Sequence, residues 1–144
     1  MELMVVFAII LFLSRLLIPK LMSHFGRARN TEVSINLGSL YTAQCAYQMA
    51  NGRFTNDLQA AGWQPNGYQS DKKKRKNYYT YGCPGSKAQE GIHVFTGTAG
   101  TPASTLGSCT VDGTTFEARA ALTVDGKTIL WKVDETGTIE EVGC

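Results

Sequence analysis

MELMVVFAIILFLSRLLIPKLMSHFGRARNTEVSINLGSLYTAQCAY, residues 1–47, decides the fold. From Leu3 to Leu13 no side chain is polar; Ser14 and Arg15 interrupt, and Leu16, Leu17 and Ile18 resume before Pro19. A helix over residues 1–20 would be roughly 30 Å long, enough to cross a hydrocarbon core. Past Lys20 the pattern becomes one-sided. Leu21, Phe25, Ala28, Val33, Leu37, Leu40 and Tyr47 recur at helical spacings, while Arg27, Arg29, Glu32, Asn36 and Gln48 fall elsewhere. An apolar stripe of this period marks a helix lying against a core. Pro19 removes one backbone hydrogen bond and predicts a kink, without ending the helix. Asn51-Gly52 supplies the stop. One helix is therefore expected from the N-terminus to Asn51, apolar all round in its first half and amphipathic in its second.

Outward from this spine the chain changes character. Arg53 to Ser70 is rich in Asn, Gly, Gln and Pro, with apolar anchors at Phe54, Leu58 and Trp63. Tyr78 to Tyr81 reads as a short aromatic strand and Ile92 to Phe95 as another. Three clearer strands follow. Phe116 to Thr123 alternates Phe116, Ala118, Ala120 and Leu122 against Glu117, Arg119, Ala121 and Thr123. Lys127 to Val133 sets Ile129, Trp131 and Val133 on one face, and Thr138 to Val142 closes the chain. Asp125-Gly126 is a strong two-residue hairpin signal, and Glu135-Thr136-Gly137 a second turn. A meander with one apolar face needs a cover, and the amphipathic half-helix is the available one. The expected fold class is α+β: a long N-terminal helix with its hydrophobic half protruding, packed on a C-terminal antiparallel sheet of about four strands. Its division is 1–27, the hydrophobic half-helix, and 28–144, the head, comprising half-helix 28–51, loop 52–76, and sheet with C-terminal loop 77–144.

Composition bounds the rest. A chain of 144 residues, 43% hydrophobic, supports one modest core, and 15 glycines exclude an all-helical protein. A net charge of +2 demands no nucleic acid, although Lys72, Lys73, Lys74, Arg75 and Lys76 form a dense basic run. A secretory signal peptide fits poorly: Glu2 stands where a basic n-region belongs, and no small-residue cleavage site follows. Arg15, Lys20, Arg27 and Arg29 on the C-terminal side would hold that side in the cytoplasm. A short basic leader, removed after insertion, resolves the conflict. Arg15 can snorkel to the boundary near Lys20.

These residues resemble the N-terminal helix of type IV pilins and pseudopilins. Glu2-Leu3-Met4-Val5-Val6 is similar to that family's signature acid and apolar run, and Ile18-Pro19-Lys20 to its kinking proline, at the family's spacing. The similarity continues through Ala46-Tyr47, Asn51-Gly52, Phe54 to Leu58, Gly62-Trp63 and Tyr79 to Gly82. The resemblance implies a pilin fold, insertion in the inner membrane of a Gram-negative bacterium, and polymerisation by the pilus assembly machinery. The product would be an extracellular homopolymer for adhesion, twitching motility or DNA capture. It implies that Glu2 neutralises a neighbouring subunit's N-terminus and that Pro19 is the helix kink. The family's mature chain begins with a methylated Phe; here either the leader and first residues have been removed or the chain was begun artificially at Met1. Leu11 replaces a common helix-weakening Gly, and Arg15 a small or apolar residue, which keeps a minor pilin or a secretion pseudopilin in play.

Cys45, Cys83, Cys109 and Cys144 allow three pairings, which the sequence does not separate. An exported head gains from staples, and the expected pairs are Cys109–Cys144, tying down the C-terminus, and Cys45–Cys83, linking helix to loop. A metal site is not expected, because no CxxC occurs and His24 and His93 stand alone. No catalytic residue and no cofactor motif is found; the acids fall at turns or on outward faces, and adjacent Glu140 and Glu141 point to opposite sides of a strand. The basic run beside Tyr78, Tyr79 and Tyr81 has the ingredients of a polyanion or DNA site, against a simpler reading as a solvated loop meeting acids of the next subunit or anionic surfaces. A monomeric, membrane-anchored periplasmic binding module is the alternative from another class.

Overall fold

The structure, a computed structural model, describes residues 1–83, 89–107 and 111–142, with the backbone alone for 21–26. A single helix, α1, runs Glu2–Asn51 with Pro19 inside it. Gly52 takes φ +75° and its N–H donates to the Gln48 carbonyl at 2.6 Å, so Asn51-Gly52 stops the helix as the sequence predicts. Backbone contacts divide the chain into units 1–31 and 32–144.

The first unit is helix, with no core among its described residues. The large apolar side chains from Leu3 to Ile18 are each half or more exposed. Ser14 donates its hydroxyl to the Leu11 carbonyl at 2.9 Å, so the one hydroxyl in this run is satisfied within the helix. Glu2–Lys20 is long and apolar enough to cross a membrane.

The second unit holds the core. Five strands, β1 Thr80–Gly82, β2 Val94–Phe95, β3 Glu117–Val124, β4 Lys127–Asp134 and β5 Ile139–Val142, form one antiparallel sheet in the order β2-β1-β3-β4-β5. The class is α+β, with five strands where about four were expected. Asp125 and Gly126 have φ +52° and +75°, the signature of a type I′ turn, and they set Leu122 opposite Ile129. Register then sorts the side chains. One sheet face, carrying Tyr81, Phe95, Ala118, Ala120, Leu122 and Val133, packs with Val33, Leu37 and Leu40 of α1 and with Phe54, Leu58 and Trp63 of the loop. The other face carries Val94 and Ala121 against Leu106, from a short 3-10 turn at Ala103–Leu106. Ala121, read from the alternation as outward, is buried because that turn covers it.

Two strands start later than their sequences suggest, for hydrogen-bonding reasons. The N–H groups of Tyr78 and Tyr79 donate to the Glu32 carboxylate, at 2.9 and 3.3 Å, so β1 begins only at Thr80. Ile92, His93 and Val94 all donate their N–H groups to the Gln89 carbonyl, a turn that shortens β2 to two residues. The disulfide expectation also needs correction. Cys45 is a free thiol and Cys83 is disulfide-bonded, so the Cys45–Cys83 link does not form. Glu32 holds the start of β1, roughly 20 Å along the helix axis from Cys45, and Cys45 meets Tyr41 instead. Cys109 and Cys144, and the link expected between them, lie outside the described residues.

Candidate functional site

Glu2 sits in the first turn of α1, exposed, where its carboxylate complements the positive end of the helix dipole. None of the ion pairs among the described residues involves it; these are Arg75–Glu90, Arg119–Glu117 and Lys132–Glu140. Pro19 lies within a helix that runs on to Asn51.

The basic run separates into two kinds of residue. Lys72, Lys73 and Lys74 form one 3-10 turn, capped by Asp71, whose carboxylate accepts the Lys73 N–H at 3.0 Å. These three and Lys76 are exposed. Arg75 is not part of that surface. Its side chain is 4% exposed and ion-paired to Glu90 at 3.1 Å. It donates Nε to the Gln69 carbonyl at 2.7 Å and Nη1 to the Thr96 carbonyl at 3.1 Å and to the Thr96 hydroxyl, and it stacks 4.6 Å over the Tyr68 ring. Glu90 completes the clasp by accepting the Thr96 N–H at 3.0 Å and the Tyr68 hydroxyl at 3.2 Å. Burial and the facing Glu90 carboxylate hold the Tyr68 hydroxyl above its ordinary pKa. Arg75 is therefore a strap between residues 68–76 and 90–96, and the expected five-residue polyanion patch reduces to four lysines.

Tyr79 and Tyr81 are fully buried and Tyr78 half-buried, so the rings beside the lysines are packed inward. Burial pushes the Tyr81 hydroxyl far above the usual phenol range, with Asn36 opposing the shift and Glu32 adding to it. A groove of about 320 Å³ beside the run is lined by Lys72, Arg75, Thr96, Thr98 and Thr101, with Gly97 and Gly100.

The polar residues of α1 that face the head were missed from sequence. Glu32 accepts the Tyr78 and Tyr79 N–H groups and the Tyr81 hydroxyl, the last at 2.9 Å. Asn36 donates to the Tyr81 hydroxyl at 3.0 Å and accepts the Asn66 N–H at 3.0 Å. Ser39 accepts the Trp63 indole N–H at 2.8 Å. Gln44 donates to the Thr55 carbonyl at 2.6 Å and accepts its N–H at 3.2 Å. Asn36 and Gln44 are buried, and the spacing of 33, 36, 40 and 44 puts both on the apolar stripe, which was the available signal. Among the described residues no three of His, Cys, Asp and Glu converge as metal ligands would.

Compared with protein-family models, with curated proteins and with solved structures, the chain matches none.

Proposed function

We infer that this chain is a structural pilin subunit, inserted in the inner membrane before assembly and then polymerised through α1 into an extracellular type IV pilus. The observation that carries the reading is the composition of one uninterrupted helix. The large apolar side chains from Leu3 to Leu13 and from Leu16 to Ile18 are exposed, while Val33, Leu37 and Leu40 of the same helix are fully buried in the core. A soluble domain has no use for the first half, and a simple anchor does not need a proline at position 19 and an acid at position 2. In the polymer the apolar halves surround one another, and Glu2 faces the N-terminal amine of an adjoining copy. A carboxylate in such dry surroundings requires a cation beside it. The pilin fold and the pilus assembly machinery as partner belong to the same proposal.

Shearing cells that express the chain and imaging the sheared fraction by electron microscopy tests it. Long fibres containing this chain support the pilin reading. Short fibres seen only on overexpression indicate a pseudopilin, and their absence with a monomeric chain in detergent indicates an anchored binding module.

A further inference from the structure

Lys72, Lys73, Lys74 and Lys76 are all exposed, and among the described residues none has an ion-pair partner. Asp71 beside them has turned its carboxylate to the Lys73 N–H. The patch has a fixed address. Arg75 in its middle is tied to Thr96, immediately after β2, and to Glu90, in the turn that leads into it, so the lysines stand at the β2 side of the sheet. The opposite edge is β5. There Glu135, in the β4–β5 turn, and Glu140 and Glu141, on β5, are exposed. Lys132 pairs with Glu140 at 2.7 Å; Glu135 and Glu141 have no such cation among the described residues. Four strand spacings of ~4.8 Å separate β2 from β5, roughly 19 Å, so the two patches cannot neutralise each other within one molecule.

We propose that the Lys72–Lys76 patch of one copy docks against Glu135 and Glu141 at the β5 edge of the next. Complementary patches at two different places on one subunit make a heterologous contact, which repeats as an open polymer and does not close into a two-fold dimer. The contact rests on the filament reading and names the head-to-neighbour interaction within it. Its charges set register and orientation, while the apolar half-helix supplies the adhesion. The rival occupant, single-stranded nucleic acid, needs exposed rings beside the cations to stack its bases. Tyr79 and Tyr81 are buried and cannot offer them. The complementary acids, in contrast, are carried by the chain itself.

Wild-type sheared filaments treated with a zero-length carbodiimide, which condenses an amine with a touching carboxylate, test the contact directly. Peptide mapping should find residues 72–76 joined to residues 135–141 in cross-linked dimers and larger ladders. A charge swap gives the second arm. Lys72→Glu, Lys73→Glu and Lys74→Glu together, or Glu135→Lys with Glu141→Lys, should each lower sheared filament about tenfold, and combining the two sets should restore it. Filaments that form without these cross-links, or reversed patches that assemble as the wild type does, overturn the contact and leave the filament reading standing. Unchanged assembly with loss of DNA retention would give the lysines to nucleic acid instead. The absence of filaments in every condition would sink the filament reading, and this contact with it.

Discussion

Single residues in the head divide sharply by what surrounds them, and two glycines show the division. Gly97 stands so close to β1's approach that a methyl group there would lie 2.2 Å from the Tyr78 carbonyl oxygen and 2.5 Å from that of Tyr79. Those are backbone atoms and cannot swing aside. Gly38 lies in mid-helix, with nothing within 4 Å of the same position. Gly97→Ala should therefore cost about 3 kcal/mol or more through overpacking, and Gly38→Ala should add about 0.5–1 kcal/mol through helix propensity. Both tryptophans, Trp63 and Trp131, lie in unit 32–144, so urea unfolding followed by tryptophan fluorescence reads the head alone in the detergent-solubilised chain. Opposite signs for the two substitutions are the required result. Asp112 gives a prediction in pH. Its carboxylate accepts the N–H groups of Thr114 and Thr115, at 2.8 and 2.9 Å, which lowers its pKa to about 2 from 3.8. A depressed carboxyl pKa means the folded state favours the charged form, so its contribution is present above the unfolded pKa and fades as pH falls from 3.8 towards about 2. The stability advantage of wild type over Asp112→Asn should be constant above about pH 5 and shrink on acidification through that window. An advantage that grew as the pH fell would contradict the assignment.

At the scale of elements, the joint between α1 and the loop with β1 is polar, and this explains what the sequence hid. The hairpin and the strand alternation were legible because they are local: Asp125-Gly126 fixes a turn, and residues two apart share a face. The core stripe of α1 was legible through Val33, Leu37 and Leu40 for the same reason. Glu32, Asn36 and Gln44 were not, since a polar side chain on a helix ordinarily signals solvent, and their partners lie 11 to 49 residues away. Arg75 escaped in the same way: four lysines around it signal a solvated face, and only the folded chain brings Thr96 and Glu90 to it. That Cys45 stays a free thiol was not legible, because spacing along a chain does not encode which cysteines meet. The polar joint makes a strong claim. Replacing Glu32 by Ala leaves two backbone N–H groups and one hydroxyl short of their acceptor, and a buried orphan donor costs ~1–3 kcal/mol. Glu32→Ala should lower head stability by about 2–4 kcal/mol, whereas Glu32→Gln, which keeps a carbonyl oxygen in place, should cost about 1 kcal/mol. Equal losses for the two would mean that the N–H groups of Tyr78 and Tyr79 find other acceptors.

For the whole molecule, the question is how the chain tolerates its first twenty residues. Each large apolar side chain left in water forgoes ~1.5–3 kcal/mol, and the dozen or so between Leu3 and Ile18 together forgo some tens of kcal/mol. A folded domain is stable by only ~5–15 kcal/mol, so nothing in the head can offset that exposure. The apolar half must be covered by lipid, detergent or other copies of itself at every stage of the molecule's life. Every described core residue of the head lies at Val33 or beyond. The two requirements together predict a clean separation. A chain cut to residues 28–144 should be soluble and monomeric without detergent, with an unfolding free energy within about 0.5 kcal/mol of the full chain's, because the cut removes no described core residue. Gel filtration and urea titration read by Trp63 and Trp131 measure both quantities. The full chain under the same conditions should sediment as polymer or precipitate, and a change of Glu2 to Ala should leave the urea midpoint unmoved while altering only that association. A head that aggregates after the cut, or melts several kcal/mol earlier, would mean that residues 1–27 are part of the fold and not a separate assembly element.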